Sequence, residues 1–171
     1  MKRLTRCGGY TYLGLMVMLL LFSIAAAATL QAGAALQRRA AEQELLFIGA
    51  ALRSALISYA NATPVGQRRS PRSVQELLRD PRYPNPRRHL RRFPVDPLTG
   101  SEEWGIVDMP DGSGVPGIVG FYSLSDETPI KRANFDPEFA WFANSASYRD
   151  WVFTSQAMPT QIKPATNPFQ P

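Results

Sequence analysis

The sequence predicts an α+β protein in which one long N-terminal helix precedes a small antiparallel β-sheet domain. Three observations predict this class. An uncharged apolar stretch opens the chain, an amphipathic stretch of good helix formers follows it, and short β-branched or aromatic runs separated by Pro and Gly fill the second half. The 171 residues leave room for one modest domain beside the helix, and the 44% hydrophobic content favours a folded core.

The helix is predicted over residues 10–60, and its first part is apolar enough to cross a membrane. No charged residue occurs between Cys7 and Gln37, and residues 13–30 are almost wholly apolar. About 20 helical residues span the hydrocarbon core of a bilayer. The basic residues at the start of the chain place the N-terminus in the cytoplasm. The side chains expected in the membrane helix are Leu13, Leu15, Leu19, Leu20, Leu21, Phe22 and Ile24.

An amphipathic half continues the same helix as a stalk. It has no Pro and few β-branched residues, and it is rich in Ala, Leu, Gln, Glu and Arg. The residues that recur at helical spacing and form the face expected to be buried are Leu45, Ile48, Leu52, Leu56 (or Ala55) and Tyr59. No N-cap signal separates the two halves, so one helix of roughly 75 Å is predicted.

A conventional secretory signal peptide is the alternative explanation of the apolar stretch. Such a peptide ends in small residues, and Ala25-Ala26-Ala27 stand at a suitable distance from the basic start. Cleavage there would release a soluble periplasmic domain and would discard half of the predicted helix.

The residues around Gly9 resemble those of the type IV pilin and type II secretion pseudopilin class. In that class a short basic leader ends in Gly and is followed by Phe-Thr-Leu-Ile-Glu-Leu; here Gly9 is followed by Tyr-Thr-Tyr-Leu-Gly-Leu at residues 10–15. The resemblance implies cleavage between Gly9 and Tyr10 by a prepilin peptidase and N-methylation of Tyr10. Gly14 stands where the family has a Glu that docks on the N-terminal amine of a neighbouring subunit. This departure favours a minor or accessory subunit, or a divergent branch that uses other contacts.

Residues 1–9 are therefore predicted to be a leader, 61–155 a periplasmic α+β domain and 156–171 a loose Pro-rich tail. A short helix is expected after Ser70-Pro71, with Ser70 as N-cap or with a capping box from Ser73 to Glu76. Strands are expected at 104–107, 118–125 and 148–153, and a turn at 96–100.

The Asp96-Pro97 turn and the run Tyr122-Ser123-Leu124 resemble the sheet region of major pseudopilins, where a loop rich in Asp and Gly binds calcium. The corresponding loop here reads Asp-Glu-Thr-Pro at 126–129 and lacks the glycine steps. Calcium takes six to eight oxygen ligands. We therefore expect no cofactor; the calcium candidates are Asp126, Glu127 and Asp136.

The composition does not favour catalysis. His89 is the one histidine, and its arginine-rich surroundings predict a surface position. Cys7 is the one cysteine, so the sequence offers no zinc ligand set and no Cys–His pair. No Ser–His–Asp set is evident either. We expect that the protein is not an enzyme.

Charge is distributed unevenly along the chain. Residues 68–92 hold nine Arg against Glu76 and Asp80, whereas residues 93–171 are acidic overall. We expect the basic block to be solvated or to pair with acidic residues of neighbouring subunits. Nucleic acid and anionic lipid are the less favoured partners.

These features predict a pseudopilin-like structural subunit of a type II secretion system or a related type IV filament, with a role in protein export. It would sit in the bacterial inner membrane with its domain in the periplasm, and assemble into a periplasmic pseudopilus. The expected partners are the prepilin peptidase, other pseudopilin or pilin subunits, the inner-membrane assembly platform and membrane lipid. A minor pilin of a type IV or DNA-uptake pilus is the alternative within this class.

Overall fold

The structure, a computed structural model, describes residues 10–110 and 114–156; the side chains at positions 10 and 28–32 lie outside this description. The predicted leader at 1–9, including Gly9, and the tail at 157–171 also lie outside the described residues. The chain divides into two compact units, Met1–Ala40 and Ala41–Pro171.

The predicted α+β class is confirmed. Helix α1 runs without a break from Tyr10 to Asn61, and helix α2 spans Val74–Leu78. Strands β1 (Gly105–Pro110), β2 (Pro116–Tyr122) and β3 (Phe153–Thr154) form an antiparallel sheet in the order β1-β2-β3. Short 3₁₀ helices at Pro137–Phe142 and Tyr148–Asp150 lie between β2 and β3.

The core of the second unit forms between the C-terminal part of α1 and the sheet. The predicted helix stripe is confirmed, because Leu45, Leu52, Leu56 and Tyr59 are buried and Ile48 packs against them while partly buried. The opposing side chains are mostly aromatic, which supplies a large apolar area from a small domain. The fully buried aromatic residues facing this stripe are Phe121, Phe142, Tyr148, Trp151 and Phe153.

A close approach of the Phe153 ring to the backbone of α1 sets the position of the helix against the sheet. A Cβ atom at Gly49 would lie 2.2 Å from the ring of Phe153, so only glycine allows this contact. Glycine is an unfavourable residue within a helix, so the contact with Phe153 is made at the expense of local helix stability. The glycine therefore fixes where β3 meets the helix.

Two predicted strands are corrected where serine side chains form hydrogen bonds. β2 ends at Tyr122 rather than at residue 125, because the Ser123 hydroxyl donates to Asp96 at 2.6 Å and accepts the N–H of Ser125 at 3.2 Å. The strand predicted at 148–153 reduces to Phe153–Thr154, because Ser147 and Asp150 form a capping box that starts a 3₁₀ turn. The predicted turn at 96–100 is confirmed: the N–H of Gly100 donates to the Asp96 carbonyl at 2.8 Å.

Helix α2 begins at the second of the two predicted starts, after Ser73, but without the predicted capping box. Ser73 is the N-cap residue, but its side chain makes no capping hydrogen bond. The Glu76 carboxylate accepts hydrogen bonds from the Tyr59 hydroxyl at 2.7 Å and from the N–H of Arg72 at 3.2 Å. Glu76 thus ties α2 to α1 instead of capping its own helix.

Candidate functional site: an apolar helix face and a buried polar anchor

The first part of α1 exposes a continuous set of large apolar side chains. From Tyr12 to Phe22 these side chains keep 46–65% of their surface accessible, and Ile24 keeps 58%. The surface of a soluble monomeric protein rarely carries contiguous apolar area on this scale. Full burial of each such side chain is favourable by about 1.5–3 kcal/mol. This exposure includes every predicted membrane-helix residue: Leu13, Leu15, Leu19, Leu20, Leu21, Phe22 and Ile24.

Within residues 10–110 and 114–156, no helical stretch combines the length and the hydropathy of a membrane span. The predicted crossing by residues 13–30 stays a prediction.

Gly14 lies near the start of this apolar set. A Cβ atom at this position would have no atom of the chain within 4 Å. Glycine is therefore not required at this position by packing within the described part of the chain.

The calcium candidates do not form a common site. Asp126 pairs with the Arg149 guanidinium at 2.5 Å, and Asp136 is the N-cap residue of the Pro137–Phe142 turn. Glu127 accepts the N–H of Tyr148 through its backbone carbonyl at 3.1 Å. In the described part of the chain, no group of three or more His, Cys, Asp and Glu side chains is placed to hold a metal ion.

A buried ion pair anchors the arginine-rich segment, and sequence reasoning did not find it. Asp80 is 1% exposed and receives two hydrogen bonds from the Arg82 guanidinium, at 2.8 and 2.7 Å. The backbone N–H of Arg82 adds a third at 3.0 Å. Because of these bonds, the pKa of the Asp80 carboxyl lies well below its usual range.

The same guanidinium caps the end of α1. Its nitrogens donate to the Tyr59 carbonyl at 3.1 Å and to the Thr63 hydroxyl at 2.6 Å. The last turn of α1 contains no basic residue, and the carbonyls at a helix C-terminus attract a cation. Arg82 supplies that charge from the following segment, and its guanidinium lies 3.6 Å from the centre of the Tyr59 ring.

His89 completes this anchor, so the predicted surface position is wrong. Its side chain is 1% exposed; Nε2 lies 3.2 Å from Asp80 and Nδ1 lies 2.8 Å from the Ser58 hydroxyl. The pairing that brings it there is local, since the N–H groups of His89 and Leu90 donate to the Leu77 carbonyl. The segment around His89 turns back onto α2, and this Arg- and Pro-rich stretch has no helical or strand periodicity from which its path could be predicted.

The imidazole of His89 contacts Ser58 on one side and Asp80 on the other, which is the sequence of contacts found in a catalytic triad. The amino-acid sequence did not indicate this arrangement. A triad also requires donors for an oxyanion beside the serine. Ser58 lies inside α1, where neighbouring backbone N–H groups donate within the helix. We therefore interpret the three residues as part of the anchor.

A second buried carboxylate attaches α1 to the segment after β2. Glu42 is 4% exposed and accepts hydrogen bonds from the Tyr148 hydroxyl at 2.7 Å and from the N–H groups of Ile130 and Lys131 at 2.9 and 2.8 Å. The sequence analysis did not single out Glu42, because its partners lie 88 to 106 residues along the chain.

Comparison of the chain with protein-family models, with curated proteins and with solved structures gives no match.

Proposed function

We propose that this chain is a pseudopilin-like structural subunit of a type II secretion system or a related type IV filament. The observation that carries the proposal is the exposed apolar surface that surrounds α1 between Tyr12 and Ile24. This surface follows directly on the Gly9–Tyr10 step that resembles a prepilin cleavage site. An apolar helix surface of this extent requires lipid or other apolar helices around it.

In the proposed pathway a prepilin peptidase removes residues 1–9 and the new N-terminus at Tyr10 is methylated. The apolar part of α1 then holds the subunit in the inner membrane until assembly, with residues 61–155 in the periplasm. On assembly, helices of neighbouring subunits cover the apolar side chains in place of lipid. Gly14 leaves out the family's docking carboxylate, which favours the position of a minor or accessory subunit.

Site-specific cross-linking tests this proposal. Cys7 is the one cysteine of the chain and lies in the leader, so the processed subunit would contain none. A Leu20→Cys chain produced with a type II assembly platform is expected to form cross-linked dimers in the membrane fraction. Thr99→Cys, on an exposed turn of the second unit, is the matched control and is expected to stay monomeric.

A soluble chain without cross-links at Leu20 would contradict the proposal and would favour the periplasmic domain released from a signal peptide. The alternative, a minor pilin of a type IV or DNA-uptake pilus, predicts the same cross-links but a different phenotype. Deletion of the chain would then abolish piliation or DNA uptake and leave protein export unchanged.

A further inference from the structure

Most of the arginine-rich segment forms an uncompensated basic surface. Of its nine arginines, only Arg68 and Arg82 are not exposed. Its two acidic residues bond inward, Glu76 to Tyr59 and Asp80 to Arg82. In the described part of the chain, none of the exposed arginines of this segment forms an ion pair. We call these exposed arginines, which include Arg87, Arg88, Arg91 and Arg92, the arginine surface.

An acidic surface lies along the outer edge of the sheet. β1 is an edge strand of the described sheet, and Asp108 within it is exposed. Glu102 and Glu103, immediately before the strand, are also exposed. None of the three forms an ion pair among the described residues. We call them the acidic edge.

The balance of charge favours a partner that carries both signs. Residues 41–171 contain fourteen basic and fourteen acidic residues, so they carry no net charge at pH 7. A polyanion would therefore be attracted to the arginine surface but repelled by the acidic edge. A second copy of the chain offers an acidic edge to each arginine surface and an arginine surface to each acidic edge.

We propose that the arginine surface of one subunit binds the acidic edge of a second copy of this chain. The arginine surface placed on a two-fold axis would face its own copy, so the contact proposed is between the two different surfaces, as in a head-to-tail arrangement. Head-to-tail contacts that do not close generate open helical filaments. This inference rests on the proposed function and specifies which surfaces of the periplasmic domain set the register between subunits.

A charge swap between two full-length chains tests the contact. Arg91→Glu/Arg92→Glu and Glu102→Arg/Glu103→Arg are each expected to reduce self-association in detergent by about tenfold or more. When the two variants are mixed under different tags, co-purification is expected to return. Arg132→Glu removes an exposed charge outside both surfaces and is the matched control, with association unchanged. Unchanged circular dichroism spectra would establish that all variants fold.

Three outcomes would overturn the inference. The first is normal self-association of Arg91→Glu/Arg92→Glu, and the second is failure of the mixed variants to associate. The third is loss of binding to duplex DNA or to anionic vesicles by that variant while self-association persists, which would assign the arginine surface to a polyanion. Failure of the proposed function is distinguishable: a mature N-terminus other than Tyr10 would contradict that function whatever the charge swap gives.

Discussion

At the residue scale, the pair of Asp80 and Arg82 places a carboxylate and a guanidinium together in the interior of the domain. Removing one partner of a buried pair leaves a desolvated charge and costs about 3–5 kcal/mol. We expect Asp80→Asn to lower the free energy of unfolding by about 3 kcal/mol at pH 7. Urea unfolding of the full chain in detergent measures this change. Asp126→Asn breaks the far more exposed pair with Arg149 and is the control, with a change of at most about 1 kcal/mol.

The same pair predicts a dependence of stability on pH. The folded pKa of Asp80 is lowered, so its contribution is fully present above the ordinary carboxyl pKa of about 3.9 and is lost as the pH falls below that value. Asp80→Asn is therefore expected to lose less stability than the wild type between about pH 5 and pH 2. Equal losses in the two proteins would contradict the ion-pair account.

Single residues also mark the limit of sequence reasoning. His89 and Glu42 are both polar residues whose buried positions depend on partners that come close only after folding. Periodicity reports which face of a helix is apolar, but it carries no information on which distant donors will meet a carboxylate. The predicted surface position of His89 was wrong for this reason.

At the element scale, the junction of α1 and β3 depends on Gly49. Alanine raises helix propensity by up to about 1 kcal/mol, but its Cβ would lie 2.2 Å from the Phe153 ring. We expect Gly49→Ala to lower stability by about 1–3 kcal/mol through overpacking. Gly33→Ala is the matched control, because a Cβ at Gly33 meets nothing within 4 Å. Thermal unfolding followed by circular dichroism compares the two; equal or higher stability of Gly49→Ala would contradict this packing.

The elements themselves were predictable to different degrees. The full length of α1 and its buried stripe follow from uninterrupted helix formers and helical spacing, and both were confirmed. β1 and the Asp96 turn were found nearly in place. The end of β2 and the shortness of β3 were missed, because Ser123 and Ser147 form hydrogen bonds that compete with strand pairing.

At the scale of the whole molecule, the chain combines an exposed apolar helix with a neutral unit of segregated charge. The fold class follows from the sequence, because it depends on patterns within segments. The arrangement of the arginine surface could not be predicted from the sequence. Glu76 and Asp80 lie in the same stretch as the arginines, and only the structure shows that their carboxylates bond to Tyr59 and Arg82 in the interior.

The mature N-terminus tests the central claim of the proposed function most directly. Mass spectrometry of the chain purified from bacterial membranes reads that terminus and any methyl group on it. We expect N-methylated Tyr10, which requires a prepilin peptidase acting after Gly9. A terminus near Thr29, produced by an ordinary signal peptidase, or an intact Met1 would contradict the proposal.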